Sequence, residues 1–133
     1  EAIASIVFED GEMLKKLDDI IHPAVKKYIL KEIEKSKKEE TEFFFIESAL
    51  LLEEKYDEIC DEMWYIYCEK EVRMERLRHD RGYSDEKIQR MMANQLPDEE
   101  FEARCDFQLY NDEDVAHTYL QIERKMRTYY EFM

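Results

Sequence analysis

Glu47 closes a run of four apolar residues, Phe43, Phe44, Phe45 and Ile46, and is followed by Ser48, Ala49, three leucines (Leu50–Leu52) and a second carboxylate, Glu53. A short unbroken apolar run flanked by charge predicts a strand buried on both faces. Such strands belong to parallel α/β sheets, whose ligands gather at the carboxyl ends of the strands. Glu47 and the segment after it are therefore where a substrate is expected. The alternative is that Glu47 simply ends the strand in solvent. Charge gathers a second time at Arg76, Arg78, His79, Asp80 and Arg81, a helix end meeting the stop signal Gly82. Cys60, Cys68 and Cys105 have no Cys-x-x-Cys spacing or His pair beside them. They read as reduced, small buried hydrophobes of a cytosolic protein rather than as metal ligands.

The elements that must position these groups follow from periodicity. Glu1–Phe8 is a short apolar piece, a helix tail or a loop, and Asp10-Gly11 marks a turn. Met13, Leu14, Leu17, Ile20 and Ile21 recur at helical spacing, and this helix is expected to stop at His22-Pro23. Pro23 then opens a second helix to about Lys38. After the central strand, Glu54–Glu62 is a polar connection. Met63–Cys68 (MWYIYC) reads as a second strand of the sheet interior, its aromatics packing the core rather than stacking on bases. Helices are expected over Glu69–His79, from the cap Ser84 to Gln95, and over Glu99–Arg104 behind the cap Asp98. Asp106–Tyr110 alternates as a strand near a sheet edge, and Val115–Tyr130 is a closing helix. Strands alternating with helices predict an α/β fold in three layers.

Bulk properties narrow the function. The 133 residues make one domain's worth of chain, and 44% apolar residues suffice for a core. A net charge of −14 argues against general binding to nucleic acid or an anionic membrane, so contacts to a phosphate compound must be local. No apolar stretch approaches the roughly 18–20 residues that span a bilayer.

At this point the residues resemble a family. Ile6–Pro23, Glu47–Glu53 (ESALLLE), Trp64–Tyr67, Arg73–Gln95 and Cys105–Asn111 (CDFQLYN) are similar, in order and spacing, to segments of dephospho-coenzyme A kinase. Glu47 stands where that family usually has Asp, Ala49 where it has Pro, Asp80-Arg81 where it often has Arg-Asp, and Tyr110-Asn111-Asp112 where it has Asp-Asn. The family's glycine-rich phosphate loop and catalytic Asp have no counterpart, because Gly11 and Gly82 are the only glycines. The resemblance thus covers the carboxyl-terminal two-thirds of a P-loop kinase, without its first strand and P-loop. No catalytic or metal-ligating residue is assigned in this chain; the catalytic group is expected upstream.

The resemblance implies a three-layer, mainly parallel α/β sheet with a helical lid. Residues 1–42 would be a helical acceptor-binding part, 43–72 core strands, 73–97 the lid, and 98–133 the last core strand and carboxyl-terminal helix. It implies phosphorylation of the 3′-hydroxyl of dephospho-coenzyme A by ATP with Mg2+, in the cytoplasm. Lid arginines Arg76, Arg81 and Arg90 would meet the phosphates. His22, Glu47, Leu50, Leu51 and Glu53 would border the acceptor, and Asn111 would shape the adenine pocket. Neither nucleic acid nor membrane is an expected partner. A central strand would be missing between Phe43–Glu47 and Met63–Cys68, so the chain is expected to rearrange, to self-associate through exposed sheet edges, or to stand beside an amino-terminal part. The chain alone would be inactive. The competing expectation is a catalytically dead module of the same ancestry that binds a nucleotide, coenzyme A or a protein.

Overall fold

The computed structural model describes residues 11–131. They form a mixed α/β chain: helix α1 (Gly11–Lys38), a 3-10 turn (Tyr56–Glu58), strand β1 (Trp64–Tyr67), helices α2 (Lys70–Arg81), α3 (Asp85–Ala93) and α4 (Asp98–Arg104), strand β2 (Phe107–Tyr110) and helix α5 (Val115–Thr128). The chain divides into two compact units, residues 1–56 and 57–133. Among the described residues no helix is long and apolar enough to cross a membrane.

In the first unit α1 runs unbroken through Pro23, so the expected stop at His22-Pro23 does not occur. An interior proline removes one backbone bond and costs about 3 kcal/mol. The lysines, leucines and glutamates on both sides of it are good helix formers and sustain the helix across that single defect. The expected turn at Asp10-Gly11 falls partly outside the described residues; Gly11 itself opens α1. The helix closes at Glu40, whose φ of 59° is left-handed. Thr41 N–H donates to Ser36 and Glu40 N–H to Lys37, the bonding pattern that ends helices at such a residue.

The run Phe43–Glu47 is not a strand: no ladder forms there, and Phe44 and Phe45 are exposed. The apolar composition suits burial between neighbouring strands, but a strand exists only when its N–H and C=O groups are paired, no strand among the described residues pairs with it, and none of Phe43–Glu47 is buried. Leu50–Glu54 instead makes a helical turn. Tyr56 N–H donates to Leu51 and Lys55 N–H to Leu52, and Lys55 sits at φ 60°.

The second unit is built on two parallel strands, with Trp64 opposite Phe107 and Tyr67 opposite Tyr110. Tyr65 and Leu109 are buried, but Ile66 is 55% exposed. Met63–Cys68 is therefore not buried on both faces as expected: Tyr65 faces packed residues, whereas Ile66, which points to the opposite face, is left exposed. Two strands in parallel need a long crossover, and α2, α3 and α4 supply it. Gly82 ends α2 at φ 65° and Ser84 starts α3, its Oγ accepting from Lys87 N–H at 3.2 Å. Ile88 of α3 is fully buried, a contribution of about 1.5–3 kcal/mol. Asp98 does not cap α4. Pro97 holds the cap position without a side-chain bond, and the Asp98 carboxylate accepts from Tyr65. Helix α5, capped by Asp114, turns back on β2, and the Gln121 carboxamide bonds both the N–H (2.9 Å) and the C=O (2.8 Å) of Tyr110.

Candidate functional site

In the first unit, α1 presents His22 and the turn after Leu50 presents Glu54. His22 Nδ1 lies 2.7 Å from Glu54 Oε1, and His22 Nε2 lies 3.7 Å from Asp18 Oδ1. Lys26, one turn further along α1, donates to the Glu54 carbonyl at 2.9 Å and lies over the Tyr56 ring. These bonds fix the turn against the helix. A depression lined by Lys15, Asp18, Asp19, His22, Pro23 and Glu54 opens there. An imidazole between two carboxylates, with a lysine nearby, can hold or pass a proton and can bind hydroxyl and phosphate groups.

Of the acceptor residues expected from sequence, only His22 lines this depression. Glu47 and Glu53 are exposed, Leu50 is exposed with its N–H on Ser48 Oγ, and Leu51 is half-buried. No bond among the described residues joins Glu47 to His22. Glu54 was missed because the recognisable segment ends one residue earlier, at Glu53. Its signal was structural: the left-handed Lys55 closes the turn and sets Glu54 at its end.

In the second unit, the three arginines expected to meet phosphates separate. Arg76 of α2 is half-buried, and its guanidinium donates to the carbonyls of Asn111 (2.5 Å) and Glu113 (3.4 Å), with Cys68 Sγ at 3.6 Å. It is committed to the chain after β2. Arg81, the last residue of α2, and Arg90 of α3 are exposed, and Arg90 lines a shallow depression with Glu86, Gln89 and Ala93. The α2–α3 hairpin carrying them is held by Arg78, whose Nε lies 2.6 Å from Asp85 Oδ1. Asn111 extends the ladder, its N–H on the Tyr67 carbonyl at 2.7 Å, and its Oδ1 accepts from Thr118 at 3.1 Å. Its main chain and side chain are thus both fixed.

The thiols are unpaired. Burial pushes Cys60, Cys68 and Cys105 all upward in pKa, so they stay protonated near neutrality and are poor nucleophiles. No cluster of three or more His, Cys, Asp or Glu able to hold a metal lies among the described residues.

The family model for dephospho-CoA kinase matches residues 1–117. The dephospho-CoA kinase of Aquifex aeolicus is 36% identical over 122 residues, covering 92% of this chain and 61% of its own length. That of Prochlorococcus marinus is 30% identical over 122 residues, with 92% and 57% covered. Among solved structures, the crystal structure of TT1252 from Thermus thermophilus superposes with a TM-score of 0.71 at 25% identity, over 96% of this chain and 65% of that one. The chain thus spans less than two thirds of the length of these relatives.

Proposed function

We propose, from the premise that this chain belongs to the dephospho-CoA kinase family, that it supplies the acceptor, lid and base-binding parts of an enzyme of coenzyme A synthesis. That enzyme would transfer the γ-phosphoryl of ATP to the 3′-hydroxyl of dephospho-coenzyme A in the cytoplasm. The observation that carries this reading is the run of the family match, which takes in every described element down to the start of α5.

Within that reading each group has a task. Residues 1–42 and the turn at Glu54 face the acceptor, with His22 and its carboxylates bonding the hydroxyls of dephospho-coenzyme A. Residues 73–97 form the lid, and Arg81 and Arg90, exposed on a hairpin with its own buried core, lower the charge on the phosphates as it closes. The bonds from Arg76 to the Asn111 and Glu113 carbonyls support moving it from the phosphates to the segment that would border adenine. Phosphoryl transfer of this kind depends on positioning and charge neutralisation more than on covalent chemistry. Among the described residues no group of three or more His, Cys, Asp or Glu gathers that could hold a metal ion.

The test is the gene product at its natural length, incubated with ATP and dephospho-coenzyme A. Mass spectrometry should find a product heavier by one phosphoryl group, placed at the 3′-oxygen. An acceptor left unmodified, with a known kinase of this family active in parallel, would defeat the proposal. The 133 residues alone, whose only glycines are Gly11 and Gly82, should form no product, since they contain no glycine-rich cradle for the phosphates of ATP. That same observation favours the second reading, a module that binds and does not transfer, should the natural product also lack activity.

A further inference from the structure

Three side chains meet at the base of the α2–α3 hairpin, none of them among the residues given a role above. Arg73 lies in the first turn of α2, where the chain enters the hairpin. Asp98 is the first residue of α4, where it leaves. Tyr65 is buried on β1 between them. The Tyr65 hydroxyl donates to Asp98 Oδ1 at 2.5 Å, and Arg73 Nη2 lies 3.9 Å from Asp98 Oδ2. The Tyr65 ring stacks on Phe101 of α4, with centroids 4.9 Å apart and planes at 13°. Asp98 does this in place of capping its own helix, so the carboxylate is committed to a tie across elements. Burial and the Asp98 carboxylate push the Tyr65 phenol well above its ordinary pKa, and the hydroxyl stays a donor across the physiological range. Arg73 Nε is buried without a hydrogen-bond partner. Leaving a buried donor unsatisfied carries a cost, borne here by a side chain whose ion pair is to Asp98.

We infer that Tyr65, Asp98 and Arg73 form a clasp joining both stems of the α2–α3 hairpin to the sheet, and that they are positioning residues for Arg81 and Arg90. The inference rests on the reading of that hairpin as the lid. Beyond the clasp the hairpin is internally rigid, with Ile88 fully buried and Arg78 on Asp85, so a movement at its base is carried to its tip. Twelve helical residues in α2 span about 18 Å. A tilt of about 10° at the base therefore carries the tip by about 3 Å, where a misplacement of about 1 Å can cost on the order of a hundredfold in rate.

The test uses the natural-length gene product and four variants: Tyr65→Phe, Asp98→Asn, Arg81→Ala with Arg90→Ala, and that pair combined with Tyr65→Phe. Tyr65→Phe should lower kcat about tenfold and leave the KM for dephospho-coenzyme A unchanged. Amide exchange should quicken in residues 71–81 and 98–104 and stay constant in β2. In the background lacking both arginines, Tyr65→Phe should have no further effect on kcat, because it acts through them. If Tyr65→Phe adds its full effect there, the lid reading stands and the clasp alone falls. If removing Arg81 and Arg90 leaves kcat unchanged, the lid reading falls and the inference with it. Should Asp98→Asn fail to fold, Tyr65→Phe removes a single oxygen and still decides the matter.

Discussion

Glu62 ties the entrance of β1 to α5, and replacing it with alanine should unfasten the two. Trp64 Nε1 donates to its Oε1 at 2.9 Å and Lys125 Nζ lies 3.0 Å from the same atom. The Glu62 and Lys125 side chains are 26% and 22% exposed, so solvent screens the pair only in part. A hydrogen bond to a charged group contributes about 1.5–3 kcal/mol, and bonds sharing one acceptor do not add fully. Glu62→Ala should therefore cost about 2–3 kcal/mol at pH 7, and Glu62→Gln, which keeps a neutral acceptor, about half as much. Burial pushes the Glu62 carboxyl up in pKa, but bonds from Tyr129, Lys125 and Trp64 outweigh it and hold the group below its ordinary value. A depressed folded pKa contributes stability that is present above the unfolded value, about 4.3, and is lost as pH falls through the folded one. The gap between the wild type and Glu62→Ala should thus narrow below about pH 4. Urea unfolding followed by the fluorescence of Trp64, the only tryptophan, reads the site directly. A difference under about 0.5 kcal/mol at pH 7, or one that persists undiminished at low pH, would refute the reasoning.

Two further substitutions address a turn and the segment after β2. Lys55 holds φ 60°, which costs a residue with a Cβ about 1–2 kcal/mol. Lys55→Gly should raise stability by about 0.5–1 kcal/mol after glycine's own entropy is counted, visible as a higher urea midpoint; a lower midpoint would mean that the lysine side chain matters more than the strain. Arg76→Met should quicken amide exchange in residues 112–114 about tenfold, the loss of about 1.4 kcal/mol, while the ladder between β1 and β2 keeps its protection. Equal exchange in both proteins would show that the bonds to Asn111 and Glu113 do not hold that segment.

The parts of this fold legible in sequence were those fixed by local chemistry. Gly82, Ser84 and the aromatic run of β1 placed the crossover and its turn within a residue or two, because caps and left-handed turns are set by the residues that make them. What failed depended on a partner elsewhere or on the balance of a whole helix. Phe43–Ile46 has the composition of an interior strand, but pairing decides whether a strand forms. Pro23 reads as a helix stop, but the helix formers on both sides outweighed one missing bond. The site divides the same way. His22 was singled out from the segment it belongs to and lines a depression, whereas Glu54 depends on a tertiary turn and the commitment of Arg76 to two carbonyls depends on where β2 ends. Neither leaves a pattern in the residues nearby. Asp98 looked like a helix cap by type and position, and only the presence of Tyr65 across the crossover redirects its carboxylate.

The Gln121 carboxamide has a consequence for how this sheet can grow. The carboxamide turns its oxygen and one of its two N–H groups to Tyr110, the same donor and acceptor pair a neighbouring strand would bring. That flank is a dead end at its carboxyl-terminal tip, terminated by a side chain that imitates a peptide. The flank of Trp64–Tyr67 away from β2 pairs with no strand among the described residues, and exposed Ile66 lies on that strand. The sheet is therefore directional: Gln121 occupies the groups of Tyr110, whereas the far flank of β1 is left unpaired among the described residues. Any segment grafted or recruited to widen it should be aimed at the β1 side.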